Sequence, residues 1–294
     1  LTGIHISSYG IDFEEGAWNR GESVRMQNGE RSLYTGQSKL VDLTEKICAI
    51  EGLERVRLGS LEPRVITETA AKRLAEMPKL CPHFHLSLQS GCDATLKRMN
   101  RHYSTGEYYN SVGNLRKYFG QPAITTDVIV GFPGETEEEF EETLRFAREI
   151  AFSQIHIFKY SRRKGTVADK MSGQIEEQVK TERSDRLMAL ETSLGEAYRE
   201  RILGKDETVL FEESAVIDGE ICQIGYNERY VRIAAKTSED LSNSIKTVHI
   251  IGKATEQDLK LLFCLTTLLF GKTILIYKLR ECSDFDLNSK RGYL

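Results

Sequence analysis

The sequence lacks any close pair of cysteines. Its six cysteines, spread from Cys48 to Cys282, form no C-x-x-C pair and no tight cluster, which excludes a locally encoded disulfide scaffold or metal knuckle. Scattered thiols favour a reducing compartment, so we expect a cytoplasmic protein. No His-x-x-x-His spacing occurs either; we therefore predict no metal site and interpret His5, His83 and His85 as structural histidines.

A strong charge excess and a long apolar run are also missing. The formal net charge is −4 over 294 residues, so there is no overall attraction to nucleic acid or anionic membrane, and a polyanion site requires a local basic patch. The apolar run at 261–270 falls short of a membrane span. The start at 1–5 has neither an initiator methionine nor a signal peptide and is typical of the interior of a protein. No Gly-x-Ser-x-Gly or Ser-His-Asp arrangement supports a hydrolase.

Between residues 41 and 161 short apolar runs alternate with helical patterns, as in repeated β-α units with a parallel sheet. Thr136 is followed by three glutamates, which predicts a capping box at a helix start. Five such units predict a partial parallel β/α (TIM-like) barrel. The predicted strands are 1–5, 55–59, 83–89, 124–130 and 154–160, and the predicted helices are 40–50, 67–77, 93–100, 106–119 and 136–150.

The rest of the chain changes character after this barrel pattern. We predict a partial barrel over 1–173, a helical connector over 174–203, a small all-β domain over 204–252 and an unassigned tail over 253–294. Residues 12–38 lack periodicity and are interpreted as a long surface loop.

In parallel β/α barrels the chemistry lies at the carboxyl ends of the strands. The predicted strand ends each combine Gly or Ser with a polar group, which suits a small polar ligand across the barrel mouth. In 127–135 an apolar strand runs into two glycines separated by Phe-Pro, where backbone can approach a flat heterocycle closely. A tight turn before a helix is the alternative interpretation of that stretch.

Two groups of cations follow strand ends. Arg101 follows the 89–91 loop and is a candidate for an anionic ligand group. The group formed by Arg162, Arg163 and Lys164 follows the last predicted strand, where it could hold an RNA backbone. Ordinary solvated charge is the alternative for both groups.

Taken in order, the stretches 1–5, 58–63, 85–91, 96–103 and 127–135 resemble the methylthiotransferase branch of the radical S-adenosylmethionine (radical SAM) enzymes. The resemblance extends to about residue 251 and implies a radical SAM barrel followed by a small RNA-binding β-barrel, the TRAM domain. The opening and the stretch 158–166 are most similar to the subfamily that converts threonylcarbamoyladenosine next to the tRNA anticodon to its 2-methylthio derivative.

The resemblance also implies roles for individual residues, with S-adenosylmethionine as cofactor. Gly3 would lie near the methionine amino group, and Ser60, Glu62 and Gln89 near the ribose and methionine. The adenine would be surrounded by Ile129, Val130, Gly131, Phe158 and Tyr160. No residue is assigned as catalytic.

Family members hold a catalytic [4Fe–4S] cluster with a C-x-x-x-C-x-x-C motif and an auxiliary cluster with three more cysteines. This sequence contains neither ligand set. We therefore expect a fragment of a longer enzyme, inactive alone.

In the TRAM-like stretch, Tyr226 and Tyr230 could stack on unpaired anticodon-loop bases or could be core aromatics. The implied partners are tRNA and a reductant such as flavodoxin or ferredoxin, with no membrane and a monomeric chain. Two alternatives stay open. One is a sister methylthiotransferase acting on isopentenyladenosine in tRNA or on a ribosomal protein aspartate; the other is a cluster-less RNA-binding remnant.

Overall fold

The computed structural model describes residues 1, 6–10 and 39–253, and the path of one further strand at 261–266. The helices are α1 Lys39–Cys48, α2 Glu68–Ala75, α3 Asp93–Arg98, α4 Thr105–Phe119, α5 Glu137–Ile150 and α6 Glu177–Glu200. The strands are β1 Ser60–Leu61, β2 His83–Leu86, β3 Ala123–Val130, β4 Gln154–Lys159, β5 Asp206–Ile217, β6 Glu220–Asn227, β7 Arg232–Lys236, β8 Ser244–Lys253 and β9 Leu261–Thr266.

The first unit is a parallel sheet in the order β1-β2-β3-β4. Phe84, Leu86, Val128 and Val130 alternate along β2 and β3 and are fully buried in one core with residues of α1, α2, α4 and α5. The helices therefore cover one face of the sheet. The residues between these apolar positions point to the opposite face, which we call the inner face.

Helix ends follow local sequence closely. The Thr136 hydroxyl accepts a hydrogen bond from the Glu139 amide at 3.3 Å, and the Glu139 carboxylate accepts one from the Thr136 amide at 3.1 Å. This is the predicted capping box. A second capping box, between Ser104 and Glu107, begins α4. Each of the five predicted helices is present, with ends within two residues of the prediction.

The predicted strand at 55–59 is displaced in the structure. Val56 makes only an isolated parallel bridge with Leu80, and the ladder to β2 begins at Ser60. The Gly59 amide donates to the Leu1 carbonyl at 2.6 Å. This amide is therefore bonded to the first residue of the chain and not to β2. The rest of the predicted 1–5 strand and the predicted 12–38 loop lie outside the described residues.

The second unit is a closed barrel of five strands in the order β5-β6-β7-β9-β8. Its core contains Val209, Phe211, Ile233 and Val248. All neighbouring pairs are antiparallel except β7 with β9, which are parallel. The sequence prediction ended this unit at residue 252, but an apolar segment of the unassigned tail supplies β9 and fills the gap between β7 and β8. The predicted fold class, a parallel β/α sheet followed by a small β-barrel, is confirmed.

The helix α6 connects the two units, and side chains fasten the β-barrel beneath the parallel sheet. Arg55 donates to the Thr208 carbonyl at 2.7 Å, and Arg229 donates to the Gln121 carbonyl at 3.2 Å. Since Gln121 precedes β3, the β-barrel lies at the amino ends of the parallel strands. Within the described part of the chain no helix has the length and apolar character to cross a membrane.

Candidate cofactor pocket and inner face of the sheet

A cavity of about 510 Å³ lies at the carboxyl ends of β3 and β4. Four residues predicted to bind the cofactor meet on its wall: Gln89, Ile129, Phe158 and Tyr160. We call this cavity the strand-end pocket. The four predicted residues provide one amide, one aliphatic side chain and two aromatic rings. This combination suits a flat heterocycle with polar edges.

Gln89 is fixed by its backbone. Its amide donates to the Asp127 carbonyl at 2.8 Å and its carbonyl accepts from the Ile129 amide at 2.9 Å. It has a φ of +71°, a left-handed conformation that costs free energy for a residue other than glycine. The pairing with β3 holds Gln89 in this conformation, and strain of this kind is concentrated at functional sites.

Tyr160 carries a polar group that the described residues leave unsatisfied. Its amide donates to the Val130 carbonyl at 2.9 Å, and its ring meets Phe132 edge to face at 5.3 Å. The Tyr160 hydroxyl is buried and has no hydrogen-bond partner among the described residues. Buried polar groups normally have partners, so this hydroxyl is an unsatisfied group on a residue that lines the pocket.

Val130 and Gly131 do not line the pocket. Val130 is fully buried on the helix-covered face of the sheet. The Gly131 amide donates to the Glu135 carboxylate at 2.7 Å, and the Gly134 amide donates to the Gly173 carbonyl at 2.8 Å. The two glycine amides are therefore used inside the protein. The stretch forms a tight turn in the structure, and a contact of Gly131 with adenine stays a prediction.

The turn is anchored by a buried ion pair. The Glu135 side chain is 1% exposed and lies 2.7 Å from the Arg183 guanidinium of α6. Burial raises the pKa of Glu135, while the Gly131 amide and Arg183 act in the opposite direction. A guanidinium at this distance favours the charged carboxylate, so we treat the pair as ionised.

The residues expected near the ribose and methionine are not all brought to the pocket. Ser60 lines a second, larger cavity. The Glu62 amide donates to the Ser7 hydroxyl at 2.8 Å, and Glu62 lines neither cavity. Gly3 lies outside the described residues. The structure thus gathers the predicted adenine side of the site rather than the methionine side.

The larger cavity has a volume of about 930 Å³ and lies between the inner face of the sheet and the β-barrel. Asp127 and Phe158 line both cavities, so the two are neighbours. Burial, with Arg57 and His85 nearby, lowers the pKa of His83 to about 3, and His83 is neutral at pH 7.

Sequence spacing missed a cluster in this cavity. His85 of β2, Asp127 of β3 and His156 of β4 each offer a ligand atom, and these atoms lie within 4.8 Å of one another. The hydrogen bond from His85 lowers the pKa of Asp127. We predicted no metal site because no two histidines have metal-ligand spacing in sequence. The cluster could have been found from the strand pattern, because His85, Asp127 and His156 all occupy inward positions on consecutive parallel strands.

Tyr226 and Tyr230, predicted to stack on RNA bases, stack on each other instead. Their ring centroids are 4.5 Å apart at 14°, and the Arg57 guanidinium lies 3.8 Å from the Tyr230 centroid. Because Tyr226 and the Arg57 guanidinium both lie this close to the Tyr230 ring, they must occupy its opposite faces. Tyr230 also contacts His83, the first residue of β2. The pair therefore lies at the amino ends of the parallel strands, away from the strand-end pocket, and stacking of these rings on RNA bases stays a prediction.

The basic group after β4 is not uniform. Arg162 donates to the Asp169 carboxylate at 2.7 Å, and this bond lowers the pKa of Asp169. Arg163 lines the strand-end pocket. Lys164 is exposed. One of the three predicted cations is thus paired with a carboxylate, and RNA contact by the group stays a prediction.

The described cysteines do not fit an iron–sulfur cluster. Cys48, Cys81, Cys92 and Cys222 are buried and free and belong to four different segments. Burial raises the pKa of each thiol. Cluster ligation requires converging thiolates, so no step of the chemistry is assigned to these residues.

Comparison with known proteins agrees with this architecture. Residues 12–147 match the family model of the radical SAM superfamily. The chain therefore carries a radical SAM domain.

The relatives identify the branch. The threonylcarbamoyladenosine tRNA methylthiotransferase MtaB of Bacillus subtilis (strain 168) is 35% identical over 252 residues, which is 85% of this chain and 51% of the relative. The protein of the same name from Thermotoga maritima is 37% identical over 272 residues, 92% of this chain and 56% of the relative. The resemblance to the radical SAM methylthiotransferases is confirmed.

A second kind of relative is matched over a shorter stretch. The tRNA-2-methylthio-N(6)-dimethylallyladenosine synthase of Nocardia farcinica is 43% identical over 216 residues, 73% of this chain and 40% of the relative. The chain spans about half the length of the curated relatives it matches.

Proposed function

We propose that the chain is part of a tRNA methylthiotransferase that converts threonylcarbamoyladenosine next to the anticodon to its 2-methylthio derivative. The observation that supports this proposal is the share of the chain that aligns with each kind of relative. Relatives named for threonylcarbamoyladenosine align with 85% and 92% of the chain, whereas the dimethylallyladenosine relative aligns with 73%.

We further propose that the strand-end pocket holds the adenosyl part of S-adenosylmethionine. Ile129, Phe158 and the ring of Tyr160 offer apolar contact to the adenine ring, and Gln89 offers hydrogen bonds to its edge or to the ribose. When bound and reductively cleaved, S-adenosylmethionine supplies a 5′-deoxyadenosyl radical. The residues of this chain contribute by fixing the orientation of the cofactor and by excluding water from one side of it.

We assign no residue of this chain as a ligand of the family's [4Fe–4S] cluster. The sequence contains no C-x-x-x-C-x-x-C motif, and the described cysteines are buried on separate segments. We infer that other residues of the full-length enzyme hold the cluster and that this chain is inactive without them. A flavodoxin or ferredoxin as reductant and a monomeric state stay predictions.

The substrate is tested by profiling tRNA nucleosides from the source organism before and after deletion of the gene. We expect 2-methylthio-threonylcarbamoyladenosine to disappear and its unmodified precursor to accumulate, with restoration by the full-length gene. Loss of the methylthio derivative of isopentenyladenosine instead would identify the sister enzyme. An unchanged nucleoside profile would favour either the enzyme acting on a ribosomal protein aspartate or the cluster-less RNA-binding remnant.

A further inference from the structure

The inner face of the parallel sheet carries a three-residue cluster that the proposed cofactor pocket does not require. In the ladder between β3 and β4, Asp127 lies directly opposite His156. On β2, His85 is the partner of Thr125, which precedes Asp127 by two residues on the same face. His85, Asp127 and His156 therefore occupy adjacent inward positions on three consecutive strands.

The donor atoms converge closely enough for one ion. The Nε2 atom of His85 lies 3.4 Å from the Oδ2 atom of Asp127, and the ligand atoms of all three residues lie within 4.8 Å of one another. Bonds of about 2.0–2.2 Å to a tetrahedral Zn²⁺ place two donors roughly 3.4 Å apart. One pair already has this separation, and small side-chain rotations would bring in the third donor.

A neighbouring side chain orients one of the imidazoles. The Thr125 hydroxyl lies 3.0 Å from Nδ1 of His85. When this hydroxyl accepts a hydrogen bond from Nδ1–H, the ring keeps its orientation, and an ion that replaces the Nε2 proton is shared between His85 and Asp127. Metal-binding histidines are commonly held in this way by a hydrogen bond to their second ring nitrogen.

An ion can reach the cluster and keep a free coordination position. All three side chains line the 930 Å³ cavity, and Asp127 also lines the strand-end pocket. His156 is exposed and Asp127 is only partly buried. Three protein ligands leave a fourth tetrahedral position that faces the cavity.

We propose that His85, Asp127 and His156 form a binding site for a divalent transition-metal ion, with Zn²⁺ as its preferred occupant. Two imidazoles and one carboxylate suit a borderline ion such as Zn²⁺, whereas Mg²⁺ and Ca²⁺ prefer oxygen ligands throughout. The bound ion joins β2, β3 and β4 on the inner face and places a positive charge next to the strand-end pocket. This inference does not rest on the proposed function.

The site is tested by titrating the chelator-treated chain with Zn²⁺ alone in competition with a chromophoric chelator. We expect one ion per chain at the site. His156→Gln should weaken the affinity by about tenfold or more, and Thr125→Val by about 10- to 100-fold through loss of ring orientation. The matched control is His249→Gln, which removes a histidine whose Nδ1 lies 2.8 Å from Asp206 in the β-barrel. That variant should bind as the unchanged chain does.

A measurement on the unchanged chain makes the test independent of variant folding. Co²⁺ should occupy the same site and give an absorption spectrum without sulfur-to-metal charge transfer, because the three ligands contain no thiolate. A charge-transfer band would assign the ion to cysteines and overturn the proposal. So would the absence of stoichiometric Zn²⁺ binding, or a folded His156→Gln variant with full affinity.

Discussion

The need for a glycine at position 131 has two possible explanations, a close contact with a ligand or a close contact with another part of the protein. From sequence, a glycine after an apolar strand suggests close approach to a ligand. In the structure, Gly131 has a φ of +73°, and an added Cβ would lie 2.3 Å from Cγ of Lys180. The atom that excludes a side chain belongs to α6, not to a bound cofactor. The residue is required for the turn, whether or not the pocket is occupied.

We expect Gly131→Ala to lower the free energy of unfolding by about 1–3 kcal/mol, since it adds both a left-handed alanine and a clash. In a Lys180→Ala background the clash is removed and only the conformational cost of about 1–2 kcal/mol should remain. Urea denaturation of the four chains in a double-mutant cycle measures the difference. Equal costs in both backgrounds would show that Lys180 does not restrict Gly131.

At the scale of elements, α6 is fastened to the strand-end turn by charge. Arg183 pairs with buried Glu135 and also lies 3.3 Å from Glu137, whose side chain is 51% exposed. The two carboxylates share one guanidinium but differ in solvent access. Comparing their neutral variants measures what burial adds to an ion pair, although Glu137 also pairs with Arg186 and its variant loses that contact as well.

Glu135→Gln should lower the free energy of unfolding by about 3–5 kcal/mol, because it leaves the buried Arg183 with only the exposed Glu137 as a charge partner. Glu137→Gln, an exposed partner, should cost about 1 kcal/mol or less. Denaturant unfolding monitored by circular dichroism measures both values. Similar costs for the two variants would mean that the buried pair does not hold α6 against the turn.

The helices could be predicted from sequence because their signals are local. Thr136 and Glu139 lie three residues apart, and the apolar spacing of each helix fits within one window. The cluster of His85, Asp127 and His156 could not be predicted from spacing, because parallel strands bring together residues separated by long crossovers. Strand β9 was missed for a related reason: a short apolar run does not reveal its pairing partners.

The strand-end pocket was predicted in part. Gln89, Ile129, Phe158 and Tyr160 were assigned through family resemblance and meet in one cavity. Val130 was assigned from the same stretch, but alternation along β3 directs it into the core. Strand periodicity alone would have separated Ile129 from Val130.

On the scale of the whole molecule, the two units occupy opposite ends of the parallel strands. The strand-end pocket and the basic group lie at the carboxyl ends, and the β-barrel is fastened at the amino ends through Arg55 and Arg229. In the proposed complex, a tRNA that brings its substrate base toward the cofactor in the strand-end pocket meets Arg163 and Lys164 before it meets Tyr226 or Tyr230.

We expect Arg163→Gln combined with Lys164→Gln to weaken tRNA binding and to flatten its salt dependence. The log–log slope should fall by roughly 0.7–0.9 for each phosphate that the variant no longer neutralises. The control is Arg162→Gln, whose charge is already compensated by Asp169; it should change the slope little. Filter binding across a salt series measures the slopes. An identical slope for the double variant would identify these cations as solvated surface charge.

The position of β9 also has a consequence for how the chain is made. β7 and β8 come together only through β9, so the β-barrel closes only after residue 266 has left the ribosome. The described parallel sheet is complete at residue 159, more than one hundred residues earlier. During translation the sheet can form first, while β7 and β8 expose unpaired edges that invite contact with other chains. Among the described units, the nascent β-barrel is therefore the one whose strand edges stay unpaired longest during synthesis.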